Sequence, residues 1–286
     1  CCFRHGWQNY RSRKRHYFNR NHIIMEQKPV FISVCNQKGG IGKSTFTVLL
    51  ADILHYMEGY RVLVVDCDYP QKSIFDQRKR ELALLDRSPH YKSLLVRQFG
   101  MTHREIWPVI ASSPGKALAD MDRQLGMLRE PVDFVLFDLP GTVGTPGVLR
   151  TLSAIDRIFV PMKADRYVME STLAFAKSVE DHLVRKPNVP TAGIHLFWTM
   201  IDRRERTPLY DLYDKALEKL GLHRMETHIP YRSRFNKELS AEEGPVFRST
   251  ILLPEKSFIR ECCLDSLTRE IVELSEHSAH GKQEKK

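Results

Sequence analysis

No apolar run in this chain of 286 residues approaches the roughly 18 that would suggest a membrane-spanning helix. Nor is there a basic segment leading into an apolar one, so neither a span nor a secretory leader is expected. Cysteine is scarce and poorly spaced for chemistry. Cys1-Cys2 and Cys262-Cys263 are adjacent pairs, while Cys35 and Cys67 stand alone at the ends of apolar runs. No C-x-x-C pair exists and none of the twelve histidines falls in H-E-x-x-H, which argues against zinc sites, redox dithiols and a disulfide scaffold. Buried free cysteines and a reducing compartment, the cytoplasm, are the expectation. Acidic residues are missing from residues 1–24, which carry six Arg and Lys and no Asp or Glu. Beyond them the excess of +9 shrinks to +3, 38 basic against 35 acidic residues.

What is present is concentrated in residues 30–45. A β-branched apolar run ends at Cys35, and a glycine-rich turn follows, Asn36-Gln37-Lys38-Gly39-Gly40-Ile41-Gly42-Lys43-Ser44-Thr45. Then Phe46, Leu49, Leu50, Ile53, Leu54 and Met57 recur at helical spacing, predicting an amphipathic helix. Strand, glycine turn and helix N-terminus together form a polyphosphate cradle. Backbone N–H groups converge, the helix dipole favours anions and glycine permits close approach. Lys43 is placed to meet the β- and γ-phosphates and the Ser44 hydroxyl to ligate Mg²⁺. One glycine is lacking. The standard G-x-x-x-x-G-K-[ST] pattern begins with glycine, and Gln37 stands there, followed by a second lysine, Lys38.

The segment from Lys38 to Thr45 resembles the deviant Walker A box of the ParA/MinD ATPases. The resemblance implies ATP and Mg²⁺ as ligands, contacts from Gly39, Gly40, Ile41, Gly42, Lys43, Ser44 and Thr45, and an ATP-sandwich homodimer in which Lys38 reaches the partner's nucleotide. Residues 61–66 read as a second strand ending in Asp66-Cys67-Asp68-Tyr69-Pro70-Gln71. Two carboxylates at a strand's carboxyl end face the ligand crevice of an α/β sheet. This is similar to the family's D-x-D-P-Q box, with Tyr69 inserted. By that match Asp68 orients the attacking water and Asp66 supports the metal shell. Residues 134–137 form a buried strand running into Asp138, a Walker B pattern with its carboxylate on Mg²⁺. Gly141, Gly144 and Gly147 then suggest a mobile switch segment.

Between and beyond these boxes, helices are predicted over residues 74–85, 91–99, 117–128, 167–184, 208–220 and 264–274, with strands over 106–111, 155–161, 192–199 and 224–229. This alternation predicts a doubly wound α/β domain of the P-loop NTPase type, with a mostly parallel sheet of about seven or eight strands. It spans residues 25–278, with a frayed tail from 279. Met200, Asp202, Pro230 and Arg232 match positions where the family's loops close on adenine. Two readings of residues 1–24 stand: upstream sequence before a start at Met25, or an arm whose arginines and aromatics bind nucleic acid.

The family resemblance also implies non-specific DNA binding, with Arg203, Arg204, Arg206, Lys219, Arg232, Arg234 and Lys237 as candidates. Residues 202–237 hold nine basic and six acidic residues, so a mixed solvated surface fits equally well. Residues 91–99, 196–202, 236–240 and 247–251 resemble the TraA-type ATPases of Bacteroides-like conjugative transposons, implying a role in mobile-element partition or transfer and a partner protein that stimulates hydrolysis. The alternatives are a MinD-like membrane-cycling regulator, whose basic amphipathic tail is lacking here, and a metabolic ATP-dependent synthetase on the same superfold.

Overall fold

The computed structural model describes residues 28–142, 144–187, 189–202 and 207–281. The candidate arm 1–24, Met25, Arg203, Arg204, Arg206 and residues 282–286 lie outside the described residues. Among those described, seven strands form one sheet: β1 Val30–Val34, β2 Val62–Asp66, β3 Val109–Ala111, β4 Phe134–Asp138, β5 Arg157–Met162, β6 Gly193–Trp198 and β7 His223–Arg224. Their spatial order is β3-β2-β4-β1-β5-β6-β7, and every pairing is parallel. β1 lies between β4 and β5, in register Val30 with Phe134 and Ile32 with Arg157. The chain winds outward from β1 to β2 and β3, returns to β4, then crosses to β5 on the other flank. The carboxyl end of β1 is therefore where an open α/β sheet forms its ligand crevice.

The helices are α1 Lys43–Asp52, which continues as a π-helical turn Ile53–Met57, α2 Ser73–Arg87, α3 Pro89–Thr102, α4 Ala117–Met127, α5 Val148–Leu152, α6 Arg166–Val179, α7 Leu209–Leu220, α8 Lys256–Glu261 and α9 Leu264–Gly281. Strand residues alternate between two cores, as the period-two pleat requires. Leu63, Val65, Val135, Phe137, Ile158 and Val160 face the layer of α4, α5, α6 and α7. Ile32, Val62, Val64, Phe134, Leu136 and Phe159 face α1, α8 and α9. The predicted apolar stripe on α1 is only half of its burial. Thr45 to Asp52 are all buried, because α9 covers with Leu267, Ile271 and Val272 the side that the sheet does not. α1 is thus a core helix and not a half-exposed amphipathic one.

The last helix runs to Gly281, past the predicted frayed boundary at 279, and its apolar residues pack on the domain. The strand predicted over 224–229 shrinks to β7, with one further bridge between Ile201 and Pro230. Cys35, Cys67 and Cys262 are buried free thiols, as expected, and Cys263 is half-buried and free.

At the edge of the sheet far from the carboxyl ends, His195 of β6 is buried against His223 of β7, Nδ1 to Nδ1 at 3.0 Å. Burial, then the neighbouring His223 and Arg157, lower the His195 pKa to about 3. The unfolded chain takes up this proton near pH 6.5 and the folded chain does not, so stability is intact above pH 6.5 and falls as pH drops towards 3. His195→Gln should flatten the fall in unfolding free energy between pH 6.5 and 5 by up to about 1 kcal/mol per pH unit, read by urea denaturation. Equal slopes in parent and variant would contradict it.

Candidate nucleotide site

The loop between β1 and α1 is built from its base upward. Asn36, 2% exposed, donates Nδ2 to Pro161 O at 2.8 Å and to Thr172 Oγ1 at 2.9 Å, and accepts Lys38 N at 3.1 Å. One amide side chain therefore pins the start of the loop to β5 and α6. Gly40 and Gly42 adopt φ of +72° and +90°, the left-handed region that glycine enters without strain. A Cβ on Gly42 would also press on the Phe46 ring at 3.2 Å. Gly42 caps α1, whose first-turn N–H groups lack helical acceptors and open towards solvent.

A cavity of 320 Å³ opens at this point. It is lined by the loop glycines Gly39, Gly40 and Gly42, by Lys43, Ser44, Thr45 and Phe46, and by Asp68. Its far wall brings Thr199, Met200, Pro230, Tyr231, Arg232, Phe235 and Asn236. Of the predicted adenine contacts, Met200, Pro230 and Arg232 therefore share one cavity with the phosphate loop. Asp202 does not line it, because the Ile201–Pro230 bridge takes the chain off the cavity wall one residue earlier. Ile41 is 3% exposed and turns into the protein, leaving only its backbone to the loop. Phe235 escaped the sequence reading. It packs on Phe46 with centroids 6.0 Å apart and closes the apolar end of the cavity. Its signal, two aromatics four residues apart in an otherwise polar stretch, is too short to carry a period.

The Lys43 ammonium lies along the loop and donates to Lys38 O at 2.9 Å. Lys38 is half-buried and is not among the residues lining the cavity. Gly141 is required by contact. A Cβ there would meet Gln37 O at 3.0 Å and the Lys43 ammonium at 3.2 Å. Gly147 has φ +89° and backs onto Gly115, leaving no room for a side chain. In this structure close packing alone requires glycine at these two positions.

The carboxylates divide into different tasks. Asp66 Oδ2 accepts from Ile74 N at 3.0 Å and Phe75 N at 2.9 Å, and Oδ1 accepts from Asp68 N at 3.2 Å. Its carboxylate ties the D-x-D loop to the start of α2, so any support it lends a metal passes through that loop. Asp68 faces the cavity. Asp138 is fully buried, and neither of its oxygens receives a hydrogen bond from the described residues. Burial pushes its pKa up to about 8, against the lowering influence of the Ser44 hydroxyl and with Asp66 and Asp68 adding to the rise. An orphaned carboxylate beside a helix-terminal hydroxyl is a hard-oxygen donor pair that suits Mg²⁺, which commonly binds one or two protein oxygens and completes its shell with phosphate and water.

Among the described residues, the predicted DNA-contacting cations do not gather on one face. α7 descends from the carboxyl end of β6 to the start of β7, so Lys219 in its last turn lies at the opposite end of the sheet from the cavity that Arg232 lines. Arg234 pairs with Glu261 at 3.3 Å and stacks over Phe247. Lys237 is exposed.

The Asp138 carboxyl also has a thermodynamic consequence. Unfolded, it ionises near pH 4, and folded it holds its proton to about 8, so stability declines as pH rises between those values. Asp138→Asn should stabilise the nucleotide-free protein at pH 7 by on the order of 2–4 kcal/mol and abolish the Mg²⁺-dependent part of nucleotide binding. Thermal unfolding and calorimetric titration read the two effects. A variant less stable than the parent at pH 7 would contradict the assignment.

Comparison with known proteins agrees with this geometry. The sequence pattern of the CobQ/CobB/MinD/ParA nucleotide binding domain matches residues 32–246, most of the chain. The chromosome partitioning protein ParA of Caulobacter vibrioides is 24% identical over 264 residues, covering 84% of this chain and 93% of that protein. The sporulation initiation inhibitor protein Soj of Bacillus subtilis is 25% identical over 192 residues, 60% of this chain and 73% of that protein. In fold, the chain is similar to a plasmid partition protein of Borrelia burgdorferi solved with AMPPNP, at 20% identity and a TM-score of 0.51, covering 86% of this chain and 98% of that one. The chain belongs to the CobQ/CobB/MinD/ParA nucleotide-binding family.

Proposed function

We propose that this chain is an ATP-driven dimerisation switch that hydrolyses ATP slowly and acts in partition or transfer of a mobile DNA element. The observation that carries the reading is the convergence of Lys43, Ser44 and Asp68 on one cavity with the unpartnered carboxylate of Asp138 behind them. The triphosphate lies along the loop amides and the N-terminus of α1, with Lys43 exchanging Lys38 O for phosphate oxygens. Mg²⁺ held by Ser44 and Asp138 would neutralise phosphate charge. Asp68 orients water for in-line attack. Lys38, set outside the cavity wall, serves the partner subunit's nucleotide in the closed dimer, much as an arginine finger contributes about 10³–10⁵ in rate.

The resemblance of residues 91–99, 196–202, 236–240 and 247–251 to the TraA-type ATPases of conjugative transposons is the basis for the mobile-element role and for a partner protein that stimulates hydrolysis. DNA binding by the ATP-bound dimer is the remaining part of the proposal. It draws on Arg232 and Lys237, with Arg203, Arg204 and Arg206 outside the described residues.

Three variants separate the roles. Lys43→Ala should lose nucleotide binding. Lys38→Ala should bind ATP but lose hydrolysis, and Asp68→Ala should accumulate an ATP-bound dimer, as followed by phosphate release and sedimentation. Lys38→Ala hydrolysing like the parent while monomeric would sink the in-trans role.

For DNA, a dimer that neutralises about six phosphates should show log affinity falling with log salt at a slope of roughly −5. Dimerisation measured with DNA, with anionic vesicles and with neither distinguishes the reading from membrane cycling. A flat salt dependence in the presence of ATP would remove DNA from the function.

A further inference from the structure

Residues 247–251 form a sequence motif that the nucleotide site leaves without a task. In the fold they form a strap beside the phosphate loop. The Arg248 guanidinium, its side chain only 16% exposed, donates Nη1 to Thr45 Oγ1 at 2.8 Å. Its Nη2 donates to one oxygen of Glu238, whose other oxygen receives Arg80 Nη2 at 3.0 Å. The next two residues are locked from behind. Ser249 Oγ, Thr250 N and Thr250 Oγ1 all donate to Glu81 Oε2, at 3.1, 2.6 and 2.6 Å. Arg78 completes the anchorage, donating Nη2 to Thr250 O at 2.6 Å and Nε to Thr250 Oγ1 at 2.9 Å. Glu81 is 2% exposed, so the strap is fastened to α2 inside the protein.

Thr45 sits in the first turn of α1, where backbone N–H groups have no helical acceptor, and it lines the cavity with Lys43 and Ser44. Guanidinium nitrogens only donate. Thr45 Oγ1 must therefore accept from Arg248, which leaves the hydroxyl's own hydrogen for another acceptor. Thr47 uses its hydrogen on Lys43 O at 3.1 Å, the ordinary bond of a helical threonine, whereas Thr45 is drawn to the arginine. Two guanidiniums share the single carboxylate of Glu238, leaving net positive charge on that flank of α1.

We propose that Arg248 is a positioning residue for the nucleotide's phosphate chain. Acting through Thr45, it fixes the hydroxyl so that the hydrogen is presented to a phosphate oxygen at the N-terminus of α1. Glu238 and the strap of residues 247–251 thereby become part of the site, although only the cavity face of Thr45 meets the ligand. The inference rests on the nucleotide reading of the cavity given above.

A double-mutant cycle tests it. ADP affinity is measured by calorimetry for the parent, Arg248→Ala, Thr45→Val and the double variant, with thermal unfolding of each nucleotide-free protein alongside. Each single change should weaken ADP binding about tenfold, the scale of one charge-assisted hydrogen bond, and the double variant should be no weaker than Thr45→Val. Arg248→Lys, which keeps one donor and the aliphatic stem, should recover part of the loss, and only when Thr45 is present. It replaces Arg248→Ala in the cycle if that variant does not fold. Additive losses, an unchanged affinity in Arg248→Ala, or a change confined to nucleotide-free stability would overturn the proposal while leaving the nucleotide site intact. A parent chain that binds no nucleotide would overturn the site and the proposal together.

Discussion

The carboxylate of Asp138 is buried at the end of a central strand, and among the described residues the Ser44 hydroxyl and the Lys43 ammonium only partly offset that burial. Burying an ionisable group without a partner costs several kcal/mol or forces it to neutralise, and the carboxyl accordingly holds its proton to about pH 8. The sheet can tolerate this because β4 is flanked on both sides, by β1 and β2, in continuous parallel register. Cys67 N donates to the Asp138 backbone oxygen at 2.9 Å, fixing the main chain at the strand end. An arrangement that is unfavourable when empty and answered by a cation is what functional sites show when stability is given up for binding.

Around that carboxylate the loop is held by contacts from distant parts of the chain. Asn36 ties the loop's base to β5 and α6. Gly141 brings the segment after β4 within touching distance of Gln37 and Lys43. Asp66 ties the D-x-D loop to the first turn of α2. The Asn36 and Asp66 ties use groups whose hydrogen-bonding capacity would be wasted if the loop moved alone. The strap of residues 247–251 adds a fourth tie from the other side, through Arg248 to Thr45 and through Glu81 to α2.

The main chemistry was legible because it is local. A strand, three glycines, Lys43 and Ser44 lie within a few residues of one another, and their spacing alone implies a phosphate cradle. Asp66 and Asp138 were legible because each ends a buried apolar run, and Asp68 because it follows two residues after such an end, where the strands of a parallel sheet converge on one crevice. The helices and strands followed from periodicity, with errors where burial overrode it. α1 reads as half-apolar yet is enclosed, since the residues that cover it lie some 220 positions downstream in α9. Asp202 reads as a site residue, but a single bridge at Ile201 turns the chain away before it. Arg232 and Lys219 read as one basic cluster, but the chain between them climbs the sheet through β7 and leaves them at opposite ends.

The sequence by itself determined the parallel α/β architecture, the phosphate loop and the identity of the acid residues around it, because these depend on short-range pattern and on residue types with few alternative uses. Only the tertiary structure decided that Asp138 is fully buried beside Ser44, that Asp66 is a loop tie, that Phe235 closes the cavity and that Arg248 holds Thr45. Those facts are set by which distant side chains arrive at one place. Such arrivals depend on the packing of the whole chain, and no local spacing encodes them.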